Sequence, residues 1–238
     1  MTERSVIETA IAAIEATGDF RLLRRLRVED LSRVESPSFT DLRVVALDVE
    51  TTGLDPAYDR IVELAARPFW ANPETCEVIN VEPPCSWLED PGQALSPEIK
   101  GLTGLADADL VGQAIDERAA VGLLVSADLI VAHHAVFDRP FVERRLPAAA
   151  GRRWACSCVE PGWRAHGFDG RALGWLLMQA GLFQSGRSHR AGVDVDALIG
   201  LLAHRLPSGS TVLKELYETA SRPTLRFRAV GVSISTEI

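Results

Sequence analysis

Apolar residues at Val6, Ile7, Ala10, Ile11 and Ile14 recur at helical spacing and Gly18 suits a stop, so the pattern predicts an amphipathic helix over residues 3 to 17. A second apolar-basic stretch, FRLLRRLRV, follows, and the polar, Pro-containing SRVESPSFTD reads as a linker. RVVALDVE then opens the main domain as a buried strand, and DRIVELAARPFW and ETCEVINVEP continue as two further strands joined by the turn-like ANPE. A loop rich in Pro and Gly runs from Pro83 to Pro97, and helical material leads from it to ADLIVAH, a short apolar strand. FVERRL reads as a helix with Pro140 in its first turn, where a missing N–H costs nothing. RWACSCV is the fifth strand, and RALGWLLMQAGLF a helix ended near Gly181. Val195, Leu198, Ile199, Leu202 and Leu206 form one apolar stripe, which places the start of another helix near Asp194. TVLKELYETA makes a last helix, and PTLRFRAVGV is a candidate terminal strand. Three strands followed by alternating helices and strands predict an α/β fold, a mixed five-stranded sheet flanked by helices.

This order divides the chain into a helical N-terminal extension (residues 1–40), a main domain (41–206), and a C-terminal helix and tail (207–238). With 47% hydrophobic and 24% charged residues the composition is that of an ordinary globular protein, and 238 residues suffice for one sizeable core with appendages. The amino terminus, MTERSVIETAIAAIEA, carries acids inside its apolar pattern and has no basic start, which speaks against a signal peptide. No run elsewhere is long enough to cross a bilayer, so a cytoplasmic chain without membrane association is expected. Cys76, Cys85, Cys156 and Cys158 do not have the spacing of a zinc knuckle and read as free thiols.

Five acidic or imidazole residues in three separated stretches carry the candidate chemistry: Asp48 and Glu50 in LDVETTGLD, Asp138 in AHHAVFD, and His189 with Asp194 in HRAGVD. Because successive strand side chains alternate faces, Asp48 and Glu50 project from the same side of the first strand and can share an ion. Hard cations such as Mg²⁺ want oxygen ligands, so further acids must arrive from elsewhere in the chain. Asp138 lies just past a strand end and Asp194 opens a helix. Two divalent ions roughly 3.5–4 Å apart would serve an in-line displacement at phosphorus. The imidazole of His189, a side-chain type with an unperturbed pKa near 6.5, would be the general base. Taken singly, each acid-x-acid triplet (Asp48/Glu50, Asp107/Asp109, Asp194/Asp196) is more often a capped turn or an exposed face, and a lone histidine more often a surface residue. The ordered combination carries the reading. Asp196 competes with Asp194 as a ligand, but helical geometry turns it about 200° away, which favours Asp194. The formal charge of −8 weighs against nucleic acid until the acids are counted as ligands, since two divalent ions would halve it. Arginines grouped at Arg21 to Arg27, Arg139 to Arg145, Arg152 with Arg153, and Arg187 with Arg190 supply local basic rims.

That combination resembles the DEDD-type 3′–5′ exonucleases, in the subgroup whose catalytic histidine lies five residues before the last acid; LDVETTGLD, AHHAVFD and HRAGVD match its three motifs. The similarity covers roughly residues 43 to 206 and is greatest to the epsilon proofreading subunits of bacterial DNA polymerase III and their stand-alone relatives. It implies a ribonuclease H-like fold and two divalent cations, Mg²⁺ or Mn²⁺. Asp48, Glu50 and Asp194 would hold the first, Asp48 and Asp138 the second, and His189 would activate water. Thr51, Thr52 and Leu54 would lie against the terminal nucleotide, and Phe137 would line the same cleft, with a core aromatic role as the alternative. Where the family commonly has Asn in its second motif this chain has His134, preceded by His133. A neutral imidazole must divide donor and acceptor roles between two nitrogens, which would alter contacts to the 3′ end.

The resulting expectation is a two-metal exonuclease releasing nucleoside 5′-monophosphates from a single-stranded or frayed 3′ end of DNA, in proofreading or repair. One rival keeps this chemistry but acts on RNA 3′ ends or short oligoribonucleotides. The other is a non-catalytic accessory module of a replication or repair complex, docked through residues 1–40. A polymerase or a sliding clamp is a further candidate partner. QAGLF at Gln179 to Phe183 resembles a clamp-binding peptide, but packing of Leu182 and Phe183 within the domain is the favoured reading.

Overall fold

The first apolar stripe forms α1 (Glu3–Glu15), with Gly18 just beyond it at a φ of 77°. In this computed structural model residues 3–33, 36–186 and 189–222 are described; the candidate terminal strand at residues 223–232 lies outside them. The apolar-basic stretch yields a two-residue strand, β1 (Arg24–Arg25), and a 3₁₀ turn at Val28–Leu31. The three expected strands are β2 (Leu42–Thr51), β3 (Ile61–Ala71) and β4 (Val78–Val81). A further strand, β5 (Cys85–Leu88), lies inside the Pro-rich loop, where the sequence shows only turn signals.

The helical material resolves into α2 (Pro97–Thr103), α3 (Asp107–Leu110) and α4 (Glu117–Val125), and leads into β6 (Leu129–Ala132). Helix α5 (Ala135–Arg145) begins one turn earlier than Pro140 suggests, so the proline sits inside the helix. The carbonyl its missing N–H would have bonded belongs to Val136, an exposed residue, which keeps the cost low. The remaining elements are β7 (Trp154–Cys156), α6 (Leu173–Gln179), β8 (Leu182–Phe183), α7 (Ala191–Leu202) and α8 (Val212–Ala220). All four cysteines carry free thiols. Among the described residues no helix is long and apolar enough to cross a membrane.

The main sheet is mixed, with strand order β4-β3-β2-β6-β7 and β5 continuing along the outer edge of β3. Strands β2 and β3 are antiparallel, whereas β2–β6 and β6–β7 are parallel. The period of two along β2 sorts its side chains between two cores. Val45, Leu47 and Val49 pack with Leu124, Phe141 and Val142 on one face. Val44 and Ala46 pack with Leu176, Val195 and Leu198 on the other. The second face ends in Asp48 and Glu50, so one strand is apolar where helices cover it and acidic where they stop.

The segment ahead of the sheet is joined to this body. Strand β1 pairs in parallel with β8, and Val28 lies in the same core as α7. Leu26 rests on α7 at Gly200, where a Cβ would come within 2.7 Å of the leucine methyl groups. Below it the buried Arg67 binds Glu29 and Asp196, each at 2.8 Å. One guanidinium thereby ties the N-terminal segment, β3 and α7 together.

Candidate active site

Strand β6 pairs with β2 only from Val44 to Ala46 and then turns into α5, leaving the end of β2 without a neighbour on that side. Asp138, in the first turn of α5 and 2% exposed, takes the vacated position: its Oδ1 accepts the Val49 N–H at 3.2 Å. This bond turns the carboxylate toward the strand that carries Asp48 and Glu50. From the opposite direction, the first turn of α7 delivers Asp194. The Asp194 Oδ2 accepts the backbone N–H of His189 at 2.9 Å, and His189 takes a left-handed φ of 62°. The five-residue interval is therefore a closed loop, in which one candidate ligand fixes the backbone of the candidate base. One ligand atom each of Glu50, His189 and Asp194 lie within 4.8 Å of one another.

The electrostatics show that the remaining acids share this space. Burial, followed by repulsion from Asp138, Glu50, Asp194 and Glu63, holds Asp48 well above the usual carboxylate range. Glu50 is pushed up to about 7 by burial and by Asp194, Glu63 and Asp138, with Arg190 pulling the other way. Burial raises Asp138 to about 7 against the lowering effect of the Val49 N–H, and burial also raises Asp194. A cluster of acids that disfavours its own ionisation, with hard oxygen donors and an imidazole at its edge, fits the requirements of a divalent cation. Asp196 stands apart, engaged by Arg67.

The other expected contacts surround the cluster unevenly. Thr51 is buried with its hydroxyl donating to the Gly53 carbonyl, and Thr52 Oγ1 donates to Asp59 at 3.0 Å. Asp59 is pressed so closely on Gly53 that a Cβ there would stand 2.5 Å from its carboxylate. Leu54, at the tip of this loop, is 84% exposed. His134 is exposed and stacks on Phe137 with ring centroids 6.4 Å apart and planes 9° from parallel. Phe137 is half-buried against Phe141, so it belongs to the core and reaches the surface at once. His133 is held differently. Its Nε2 must donate to the Arg171 carbonyl at 2.7 Å, which leaves Nδ1 to accept from Ser157 at 2.9 Å.

Two functional neighbours are missing from the motif reading. Glu63, 3% exposed, lies opposite Glu50 in the β2–β3 register and shares its face of the sheet. Arg190 binds it through Nε at 3.0 Å and Nη2 at 3.3 Å. A lone acid in the otherwise apolar IVELAA was the available signal. In the clamp-like peptide, Gln179 exchanges hydrogen bonds with the Asp169 backbone at 2.8 Å, and Leu182–Phe183 is paired with β1.

Residues 45–155 match a family model described as RNase_T, exonuclease; the match includes Asp48, Glu50 and Asp138 and stops short of His189 and Asp194. The PolC-type DNA polymerase III of Ureaplasma parvum serovar 3 is 27% identical over 159 residues, covering 61% of this chain and 10% of that protein. Its counterpart in Bacillus subtilis (strain 168) is 36% identical over 104 residues, covering 41% of this chain and 6% of that protein. The chain thus spans a tenth or less of the length of these relatives. Among solved structures, exonuclease X in complex with 5′ overhanging duplex DNA superposes with a TM-score of 0.52 at 20% identity, covering 76% of this chain and 94% of that one. The zinc-bound E. coli ExoI–ssDNA complex gives a TM-score of 0.53 at 20% identity, covering 68% and 40% respectively. The chain thus has the ribonuclease H-like fold of these solved exonucleases, and residues 45–155 are similar to the exonuclease family model.

Proposed function

We propose that the chain is a two-metal 3′–5′ exonuclease acting on DNA, in proofreading or repair. The observation that carries this reading is the convergence of Asp48, Glu50, Asp138 and Asp194, with His189 at their edge, on the end of β2 where the first turns of α5 and α7 meet it. Asp48, Glu50 and Asp194 would hold one Mg²⁺ or Mn²⁺ and Asp48 with Asp138 a second; bound there, such ions would neutralise the phosphate and stabilise the attacking and departing oxygens.

The chain's own groups do the rest. His189 accepts a proton from the attacking water, on a loop whose backbone is anchored to Asp194. Thr51 and Thr52 shape the turn on which the terminal nucleotide rests, and the exposed Leu54 lies beside its base. The His134–Phe137 stack offers a flat ring to the same nucleotide, with imidazole nitrogens for the 3′ hydroxyl. DNA is favoured because the sequence relatives are DNA polymerases by name and the fold neighbours were solved with DNA. A polymerase is the partner this likeness suggests.

The test is digestion of end-labelled DNA and RNA oligonucleotides of one sequence, with Mg²⁺ or Mn²⁺ against chelator. Metal-dependent release of mononucleotides from the DNA 3′ end is expected, with slower release from RNA. Asp48→Ala and Asp194→Ala should abolish it, and His189→Ala should slow it by about 10²–10⁴-fold. Full turnover by Asp48→Ala would remove the mechanism, and a preference for RNA would reassign the substrate.

A further inference from the structure

Glu63 is the acid that the motif logic leaves out, and its surroundings explain why it does not act as a ligand. It is paired in register with Glu50, on the same face of the sheet and at 3% exposure, so backbone geometry alone would enrol it with the others. Both of its oxygens are instead taken by the Arg190 guanidinium at 3.0 and 3.3 Å, and Ser86 Oγ lies 3.5 Å from Oε1. Arg190 is placed there by its position as N-cap of α7, directly after the candidate base His189. Both Glu63 and Arg190 line an open cavity of ≈ 570 Å³ whose walls also include Gln184, Val193 and Asp196.

We propose that Arg190 sets the charge of the metal site by withholding Glu63 from it, so that divalent cations bind less tightly than the acids alone would bind them. The inference rests on the reading of the acid cluster as a divalent-metal site. A guanidinium is charged at every accessible pH, and its planar fork satisfies both oxygens of one carboxylate at once. Without it, a buried carboxylate beside Glu50 would be stabilised only by protonation or by a cation, and the cation available is the metal. Glu63 is within electrostatic reach of the cluster, since it stands directly opposite Glu50 on the same face of the sheet and away from solvent. An added negative charge at that distance attracts a divalent cation. Holding affinity down keeps the ions exchangeable and centred on the four acids that face the substrate.

The sign of the effect separates this role from a structural one, because damage to a metal site weakens binding. Mn²⁺ is titrated calorimetrically into the full chain, with melting in chelator as the check on folding. Arg190→Met should bind Mn²⁺ about tenfold more tightly than the parent chain, by analogy with other partners one layer behind the ligands. Glu63→Gln should bind it more weakly by a similar factor, since it leaves an uncompensated cation beside the ligands; if Arg190→Met does not fold, tighter binding by Arg190→Gln, which removes the same charge, gives the test. The double variant should return to within about twofold of the parent, and Arg190→Lys, which keeps the charge, should stay close to it. Unchanged or weaker Mn²⁺ binding by a folded Arg190→Met would overturn the proposal and leave the metal site standing. A parent chain that takes up no Mn²⁺ would overturn both.

Discussion

In metal-free protein, Glu50→Gln should make the fold more stable at pH 8 and leave it little changed near pH 4. Glu50 carries a pKa of about 7 in the folded chain against 4.5 for an unhindered glutamate, because burial and neighbouring acids oppose its charge. A carboxyl whose folded pKa lies above its unfolded value contributes nothing unfavourable while both states are protonated, below about pH 4.5. As pH rises through the interval up to 7, the unfolded chain gives up its proton and the folded chain resists, so stability is lost. The interval corresponds to about 3 kcal/mol, an upper value because the other acids relax when one charge is removed. Comparing parent and variant at each pH cancels the opposing contribution of His133 and His204, whose folded pKa values are lowered by burial and which therefore destabilise as pH falls. The assay is urea denaturation in chelator at steps from pH 4.5 to 8, repeated with Mn²⁺. Metal should stabilise the parent at pH 8 and the variant much less. A Glu50→Gln protein less stable than its parent at pH 8 without metal would refute the reasoning, since it would mean that the acids do not repel one another.

Arg67→Met should destabilise the fold by about 3 kcal/mol in urea denaturation, because Glu29 and Asp196 lose their shared buried partner and the N-terminal segment its anchor. Gly53→Ala should raise KM for a 3′ end several-fold with little change in Tm, since the new methyl displaces Asp59 and with it the Thr52 turn, and not the core; unchanged kinetics would remove that turn from the substrate site. Leu54→Ala should likewise weaken capture of the terminal nucleotide while kcat on a saturating oligonucleotide stays within about threefold, a split read from initial rates, because the side chain is largely exposed.

Much of this architecture is legible in the residues because two periodicities do the sorting. The alternation of RVVALDVE places Asp48 and Glu50 together whatever follows, and a rotation of 100° per residue sends Asp196 away from Asp194, to Arg67. The distant members, Asp138, His189 and Asp194, are legible through their order and local context. What escapes depends on register. Glu63 and Arg190 are 127 residues apart, and neither a turn signal nor a spacing rule joins them; only the pairing of β2 with β3 brings Glu63 beside Glu50. Strand β5 escapes because four residues on an outer edge, next to prolines, carry too little alternation to be told from a loop. The start of α5 escapes because the rule placing proline in a first turn assumes that a missing hydrogen bond must be costly, and at an exposed Val136 it is not.

A slip of a single residue in the pairing of β2 would carry Asp48 and Glu50 under α4 and α5 and bring Val45 and Leu47 round to the opposite face. Misregistered chains would therefore lack the proposed hydrolytic centre, and their buried charge would keep them from settling. Errors in threading this strand should thus appear as a smaller population of fully competent molecules, countable by active-site titration, and not as a uniform sample of sluggish ones.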